Sequence, residues 1–393
     1  MGELFLMTAG LLFLLALHPY CTYPLSLQVL ARMCRRSVHA GASPPGAVAV
    51  CVCAYNEELV IAAKIQNMLA IRDSVPNLEI LIYIDGASDR TAEIVESFSQ
   101  ENHSIRAVFS PTRMGKSHGM NLLVSMTAAD YVVFTDANVI FAPDAVPHLL
   151  APFTDPDVGC VSGHLVYTTN SDAPTASVGS LYWRLEERIK RLESACGSAM
   201  GADGSIFAIR RRLHRPPPPD LIDDMFVSLS ILCAGSRVVQ VRDAVAYEEI
   251  VSKPKEEFRR KIRIACQSLN VHRALSRELR RLPTAELYKY ISHKLLRWFT
   301  IYFLFGSALC TIAGLAVAQM WLVLAFALVV AAGFLTSMAL AQTGPLCKVR
   351  DVLGAFIATG IGVWRSAQGY RFQTWTPPTS ARAVSSSDPA LPL

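Results

Sequence analysis

The chain has 393 residues, of which 52% are hydrophobic and 18% are charged, and its formal net charge is +5. A soluble enzyme of this size rarely combines so much apolar with so little charged sequence, so part of the chain is predicted to lie in lipid. The ten cysteines show neither a CxxC pair nor a metal-ligand spacing, which excludes a zinc module and a disulfide framework and predicts reduced core cysteines.

The first predicted element is an apolar helix within residues 1–32. Between Leu4 and Ala31 only His18 could carry a charge, and Arg32 is the first of three closely spaced arginines. A stretch of this length can span a bilayer. The alternative is a cleaved signal peptide, but the charges follow the apolar core and no small-residue cleavage pattern precedes Arg32. We therefore expect a retained membrane anchor.

Residues 45–252 are predicted to form an α/β domain with a mostly parallel sheet, because short runs rich in Val and Ile alternate with longer amphipathic stretches. A run of four prolines at 216–219 predicts a stiff loop. Ligands of such sheets bind at the carboxyl ends of the strands. The expected strands are 47–53, 78–84, 107–110 and 131–135, and the expected helices are 58–69, 92–99 and 116–126.

Segments of mostly polar residues follow three of these strands. They are Ala54, Tyr55, Asn56 and Glu57, then the loop from Asp85 to Thr91, then Asp136-Ala137-Asn138. A carboxylate at Asp85 suits hydrogen bonding to a nucleobase or ribose, and the alternative is a turn followed by a helix cap. The paired oxygens of Asp136 and Asn138 suit Mg²⁺ or Mn²⁺ when a diphosphate completes the shell, although a lone DxN pattern is also common in ordinary loops.

Six motifs in order resemble those of family 2 glycosyltransferases. The resemblance covers nearly the whole α/β domain, and the membrane layout is similar to that of the hyaluronan, chitin, cellulose and poly-N-acetylglucosamine synthases. It implies a GT-A fold, inversion at the anomeric carbon, and a nucleotide-diphosphate sugar, most often a UDP-sugar, as donor. The motifs are Ala54-Tyr55-Asn56-Glu57-Glu58, Asp85-Gly86-Ala87-Ser88-Asp89, Gly115-Lys116-Ser117-xx-Met120-Asn121, Asp136-Ala137-Asn138, Gly201-Ala202-Asp203-Gly204 and Asp223-Asp224.

The resemblance also implies roles for the donor-side residues. The segment Ala54, Tyr55, Asn56 and Glu57, together with Asp85, would hold the uridine, and Lys116 would lie near the nucleotide. Asp136 and Asn138 would hold the metal, Mg²⁺ or Mn²⁺, and the diphosphate. The family usually has a second Asp where Asn138 stands, so weaker metal binding is implied here.

On the acceptor side, the resemblance assigns Asp203 to an acidic loop shared by donor and acceptor, whereas a simple Asp-Gly turn is the alternative. Asp224 matches the general base that removes the proton of the acceptor hydroxyl. Asp223 stands where the family has Glu. Helix capping is the alternative for both carboxylates.

The clearest departure from the family is Arg260-Lys261-Ile262-Arg263-Ile264, where processive synthases carry Gln-x-x-Arg-Trp. Arg263 matches, and with Arg260 it could neutralise the leaving diphosphate. In the synthases the Trp helps to form an acceptor-binding floor, so its absence weakens the prediction of polymerisation. Trp183 and Trp375 are the candidate substitutes.

The C-terminal third combines basic and apolar segments. Residues 253–297 contain thirteen Lys or Arg and four Glu, which predicts interfacial helices against anionic headgroups, and the neighbouring apolar segment argues against nucleic acid. Residues 298–347 carry no charge and predict a transmembrane hairpin with both ends in the cytosol. Residues 348–368 predict an interfacial or short membrane helix, with a fourth span as the alternative. Residues 369–393 resemble a segment that closes over the nucleotide, with a disordered tail as the alternative.

Together these features predict a multi-pass inner-membrane glycosyltransferase with a cytosolic catalytic domain that extends a polysaccharide. The alternatives are single-sugar transfer to a lipid-linked acceptor, a non-catalytic subunit of a glycan-export complex, and a nucleotidyltransferase. The last would need a basic Gly-rich signature near the first strand, which is missing from the sequence. The expected partners are a nucleotide sugar, a glycan or lipid-linked acceptor, membrane lipids, and an export partner or second copy.

Overall fold

The computed structural model describes residues 1–36, 46–75, 77–168, 174–249 and 254–374, and residues 174–182 by their helical backbone alone. The strands are β1 Val48–Ala54, β2 Leu78–Asp85, β3 Ile105–Ser110, β4 Tyr131–Asp136, β5 Val139–Phe141, β6 Val158–Thr168, β7 Ile206–Arg210 and β8 Arg237–Glu249. The helices are α1 Gly2–Leu17, α2 Thr22–Met33, α3 Ile61–Arg72, α4 Thr91–Glu101, α5 Lys116–Met126, α6 Ala145–Leu150, α7 Pro174–Ala195, α8 Asp223–Cys233, α9 Pro254–Ala274, α10 Ser276–Leu279, α11 Thr284–Tyr290, α12 Leu296–Trp298, α13 Thr300–Val317, α14 Trp321–Leu340 and α15 Gly344–Ala367, with a π-helical turn Ile291–Leu295 before α12.

The described strands form one sheet in the order β3-β2-β1-β4-β7-β6-β8-β5. The first four strands in space are parallel, as predicted, with β1 between β2 and β4. The second half of the sheet is mixed: β7 runs antiparallel to β4 and β6, β6 and β8 are parallel, and β5 is antiparallel to β8. The carboxyl ends of β1, β2 and β4 therefore meet at one edge.

Both faces of the sheet are covered around β1, which explains why this strand is apolar and buried along its whole length. Side chains alternate between faces along a strand. Val50 and Val52 of β1 pack toward Ile65 of α3, and Cys51 packs on the other face with Met120 of α5. All ten cysteines are free. The cysteines of the strands and of α9 are buried, whereas Cys21 and Cys34 are exposed, so the predicted core position holds for only some of them.

Two helices of the described chain, α13 and α14, are long and apolar enough to cross a membrane. The predicted single N-terminal helix is instead the pair α1 and α2, bent by 59°, which adds a third candidate span if the pair crosses as one. Pro19 lies in the break and cannot donate a backbone hydrogen bond. There His18 bonds through Nδ1 to Thr22 Oγ1 at 2.7 Å and through Nε2 to Ser292 Oγ at 3.0 Å.

The basic segment and the last helix pack together. The buried side of α9 faces α15, and Arg273 of α9 donates to Ser366 Oγ of α15 at 2.8 Å. The predicted short helix at 348–368 is thus part of the 24-residue helix α15, which is not among the candidate spans.

Candidate active site

The loops after β1 and β2 form one hydrogen-bonded surface. Asn56 adopts a left-handed φ of 52°, and its Oδ1 accepts a bond from Ser88 N at 2.9 Å. Glu57 N donates to Thr91 Oγ1 at 2.7 Å, and Glu58 N donates to Asp89 Oδ2 at 3.1 Å. The two segments predicted to hold the nucleotide are therefore adjacent.

Asp85 supports the neighbouring loop from inside the protein. Its side chain is fully buried, and its carboxylate accepts bonds from Met114 N at 2.6 Å and Gly115 N at 3.1 Å. Arg113 stacks on the ring of Tyr55, 3.5 Å from its centroid. Asp85 thus fixes the entry to α5, and the predicted direct contact with uridine stays a prediction.

Lys116, the first residue of α5, links two acidic residues from different elements. Its Nζ lies 2.7 Å from Asp136 Oδ1 and 3.4 Å from Asp223 Oδ2. Burial by itself lowers the pKa of Lys116, but the charges of Asp136 and Asp223 raise it above its ordinary value. A permanent positive charge therefore sits between the end of β4 and the start of α8.

The Asp136-Ala137-Asn138 turn joins β4 to β5 and is held from two sides. Beneath it, the fully buried Lys64 donates from Nζ to Thr135 Oγ1 at 3.0 Å and to Val139 O at 2.6 Å. Burial lowers the pKa of Lys64 to about 7. Beside it, Asn138 Nδ2 donates to Glu248 Oε1 at 3.1 Å. These contacts fix the backbone and the amide of the turn.

The turn fits a hard divalent cation only as a partial site. Asp136 keeps a third of its side chain exposed, and both it and Asn138 offer oxygen, the donor that Mg²⁺ and Mn²⁺ prefer. In the described part of the chain no group of three or more His, Cys, Asp or Glu side chains could hold a metal. A cation here would depend on a diphosphate and water for the rest of its shell.

Asp203 and Asp224 come together across a close backbone contact. A Cβ built on Gly204 would lie 2.8 Å from Asp224 Oδ2, so only glycine fits without a shift. Asp203 N donates to Ser162 Oγ at 3.0 Å, and Asp203 Oδ2 lies 3.6 Å from Lys190 Nζ. The acidic loop predicted from the sequence therefore adjoins the predicted base.

Asp224 has the properties of a proton acceptor at neutral pH. It lies in the first turn of α8 and is half-buried, and its Oδ1 accepts a bond from Met225 N at 2.5 Å. Burial, followed by the charge of Asp223, raises its pKa to about 7 although Lys116 opposes the shift. A base with a pKa near the working pH combines availability with proton affinity.

Two arginines of α9 face this cluster. Arg263 donates from Nη1 to Gln267 Oε1 at 3.1 Å, and burial and then the charge of Arg260 lower its pKa to about 10. The charges of Asp136, Asp223 and Asp224 oppose that shift. Burial lowers the pKa of Arg260 as well, but the charge of Glu248 raises the pKa of Arg260 above its ordinary value. Both predicted arginines therefore border the acidic site.

Aromatic side chains lie on the Asp203 side. Trp183 Nε1 donates to Leu165 O at 3.0 Å, and Tyr167 meets the indole edge-on with centroids 5.1 Å apart. Lys190 Nζ is 5.3 Å from the Trp183 ring. Trp183 is thus close to the acidic loop, whereas Trp375 lies outside the described residues.

The segment after α15 crosses from α9 to the loop before α5. Gln267 Nε2 donates to Phe372 O at 2.8 Å, and Gln373 Nε2 donates to Met114 O at 3.1 Å. A Cβ on Gly115 would collide with Gln373 O. Residues 370–374 therefore border the predicted nucleotide surface.

Three buried charged residues of this region were not singled out from the sequence: Lys64, Lys190 and Glu248. Lys64 interrupts an otherwise apolar helix face, which was a readable signal. Glu248 and Lys190 depend on contacts between distant segments, and no local pattern marks them.

Comparison with known proteins assigns the domain. Residues 49–215 match the family described as Glycosyl transferase family 2. An N-acetylglucosaminyltransferase of Rhizobium meliloti (strain 1021) is 25% identical over 236 residues, covering 56% of this chain and 55% of that protein. A poly-beta-1,6-N-acetyl-D-glucosamine synthase of Staphylococcus epidermidis is 29% identical over 159 residues, covering 40% and 38%. The chain spans about half the length of the first curated relatives it matches.

A solved structure has a similar fold over most of the chain. The mannosyltransferase PcManGT from Pyrobaculum calidifontis, in complex with GDP-Man and Mn²⁺, superposes with a TM-score of 0.72 at 21% identity, covering 92% of this chain and 99% of that one. The predicted α/β fold of the GT-A type is thereby confirmed, as is the resemblance read from the six motifs. The chain carries a family 2 glycosyltransferase domain with a GT-A-like fold.

Proposed function

We propose that this protein transfers a sugar, with inversion, from a nucleotide-diphosphate sugar to a glycan acceptor at a membrane surface. The observation that carries the proposal is the meeting of Asp224 with Gly204 on one side of the site and the Lys116–Asp136 pair on the other. In this proposal Asp224 accepts the proton, while Lys116 and a cation held by Asp136 bind the diphosphate.

In this reaction Asp224 takes the proton of the acceptor hydroxyl as the hydroxyl oxygen attacks the anomeric carbon of the donor sugar. The bond from that carbon to the diphosphate oxygen breaks on the opposite face, and the negative charge stays on the nucleoside diphosphate. We propose that Lys116 and Arg263 bind the phosphate oxygens, which is supported by the contact of Lys116 with Asp136 and by the charges of Asp136 and Asp224 that act on Arg263. Asp136 and Asn138 would hold a divalent cation, which supplies further neutralisation of the diphosphate.

The donor surface comprises the loops after β1 and β2, with Tyr55, Asn56 and Glu57 in the first and Asp85 beneath. The names of two relatives make UDP-N-acetylglucosamine the first donor to test. GDP-mannose is the competing donor, since the protein of similar fold is bound to it and to Mn²⁺. We propose polysaccharide extension as the outcome, following the synthase relative.

A second candidate is transfer of one sugar to a lipid-linked acceptor. Ile264 stands where processive synthases carry the acceptor-binding Trp. The described helices provide two candidate spans, or three with the bent pair, which is a small set for a channel. Transfer of a single sugar at the bilayer surface needs neither an acceptor-binding Trp nor a channel.

For the membrane arrangement, we propose that α13 and α14 form the hairpin and that the catalytic domain faces the cytosol. Lys294 and Arg297 before the hairpin and Lys348 and Arg350 after it support this orientation. An inner-membrane location follows from the same reasoning. The segment 369–374 would then close over the bound nucleotide.

The test is release of nucleoside diphosphate by the purified, lipid-reconstituted protein with UDP-N-acetylglucosamine, UDP-glucose or GDP-mannose, each with Mn²⁺ or Mg²⁺. We expect one donor to react, and the reaction to stop with a chelator. Product size then separates a polymer from a single-sugar lipid. No release with any donor, with membrane lipids and oligosaccharides added as acceptors, would contradict the proposal.

A further inference from the structure

Asn138 poses a problem as a cation ligand because its side chain ends in two different groups. The carbonyl oxygen can bind a cation, whereas the NH₂ group cannot. Rotation of the amide by half a turn exchanges the two. An aspartate, with two equivalent oxygens, has no such requirement, so an asparagine at this position needs a neighbour that selects one orientation.

Glu248 is such a neighbour. Its Oε1 accepts the bond from Asn138 Nδ2 at 3.1 Å, and a carboxyl oxygen that carries no proton can only accept. The pair therefore forms in one orientation of the amide, the one that leaves Asn138 Oδ1 on the side away from Glu248. The β-ladder sets this contact, because β5 and β8 pair antiparallel with Val139 opposite Glu248.

Glu248 is also held in place. Its side chain is 9% exposed, and its backbone carbonyl accepts a bond from Thr168 Oγ1 at 3.4 Å. Burial raises the pKa of Glu248, the charges of Asp136 and Asp203 add to the shift, and the charge of Arg260 and the bond from Asn138 oppose it. No residue of the described ranges donates a hydrogen bond to its second oxygen, Oε2.

We infer that Glu248 is a positioning residue that turns the carbonyl oxygen of Asn138 toward the cation, and so allows asparagine to stand where the family usually has aspartate. This inference rests on the proposed function, since it concerns the metal of the same site. The inference also explains why residue 138 is an asparagine when its neighbour, residue 248, is a glutamate. With aspartate at 138, two carboxylates would lie within hydrogen-bonding distance and repel each other.

The test is a double-mutant cycle that measures Mn²⁺ binding. Free Mn²⁺ is followed by electron paramagnetic resonance during titration of the full-length protein in lipid, alone and then with saturating UDP or GDP. The variants are Glu248→Met, which keeps length but removes the acceptor, Glu248→Gln, Asn138→Asp, and each Glu248 change combined with Asn138→Asp. Melting temperature checks that each variant folds.

We expect Glu248→Met to weaken Mn²⁺ binding by about 10- to 100-fold in the wild-type background, the usual effect of losing an outer-shell partner. Glu248→Gln should weaken it less, because the amide keeps an acceptor oxygen. In the Asn138→Asp background neither change should weaken binding, since aspartate needs no orientation. Glu248→Gln supplies the same comparison if Glu248→Met does not fold.

Equal losses in both backgrounds would overturn the inference, because Glu248 would then act independently of Asn138. So would unchanged binding in Glu248→Met, or a wild-type protein that binds no Mn²⁺ with either nucleotide. Sugar transfer is judged separately. Nucleoside diphosphate release that persists with a chelator would overturn this inference and the proposed role of the cation, but sugar transfer itself would stand. The expected result of the cycle without release from any donor would support this inference and contradict sugar transfer.

Discussion

Replacing Gly204 with alanine tests whether the position of Asp224 limits the reaction. A Cβ at residue 204 would lie 2.8 Å from Asp224 Oδ2, and ordinary contacts begin at 3.4 Å. The carboxylate must therefore retreat by roughly 0.6 Å. Its other oxygen is held by Met225 N at 2.5 Å, so the retreat also disturbs that bond.

A misplacement of about 1 Å in an active site can cost about 100-fold in rate. For Gly204→Ala we accordingly expect kcat to fall by about 10- to 50-fold, which corresponds to about 1.4 to 2.3 kcal/mol in the barrier. The KM for the donor should change by less than about twofold, because the loops after β1 and β2 are unaltered. The loss should therefore appear in the chemical step.

The assay is steady-state release of nucleoside diphosphate from the reconstituted protein. Gly354→Ala is the matched control, because a Cβ at that position in α15 meets no atom within 4 Å. Melting temperatures of both variants separate misfolding from misplacement. Wild-type kcat in Gly204→Ala would refute the reasoning, as would an equal loss in Gly354→Ala.

Three further predictions concern the titrating and buried groups. Since Asp224 with a pKa of about 7 must lose its proton to act, kcat should rise from about pH 6 to about pH 8 and then level off. Burial lowers the pKa of Lys64 from 10.5 to about 7. Between these two pH values the folded chain therefore binds fewer protons than the unfolded chain. Stability should rise with pH there by at most about 1.4 kcal/mol per unit, as melting curves would record, and Lys64→Met should lack that rise. His293→Leu removes the shared partner of the buried Glu186 and Glu193, while Arg297 and Tyr23 still bond to them, and should cost about 1–3 kcal/mol, read as a lower melting temperature.

The first half of the sheet was readable from the sequence because β1, β2 and β4 are nearly continuous apolar runs that are buried on both faces. Helix α5 has the predicted bounds of 116 and 126, set by Gly115 before it and an extended Thr127 after it. Helix α3 begins at Ile61, three residues later than predicted, because the Glu57 and Glu58 amides bond to the next loop.

The second half of the sheet was not resolved into strands, because its pairing is non-local. β7 pairs with β4 across about 70 residues of chain, and β8 lies between β6 and β5. For the same reason the motifs pointed to Asp136 and Asn138 but not to Glu248, which reaches Asn138 from 110 residues away. The break in the N-terminal helix was also missed, although Pro19 beside His18 signals it.

The most direct test of the account is nucleoside diphosphate release by Asp224→Asn beside Asp223→Asn, with the donor that the wild type uses. The two residues are neighbours in the first turn of α8, so each variant controls for the charge lost in the other. We predict that Asp224→Asn abolishes release while still binding the donor, and that Asp223→Asn retains measurable turnover. Comparable turnover in Asp224→Asn and the wild type would contradict the assignment of Asp224 as the base.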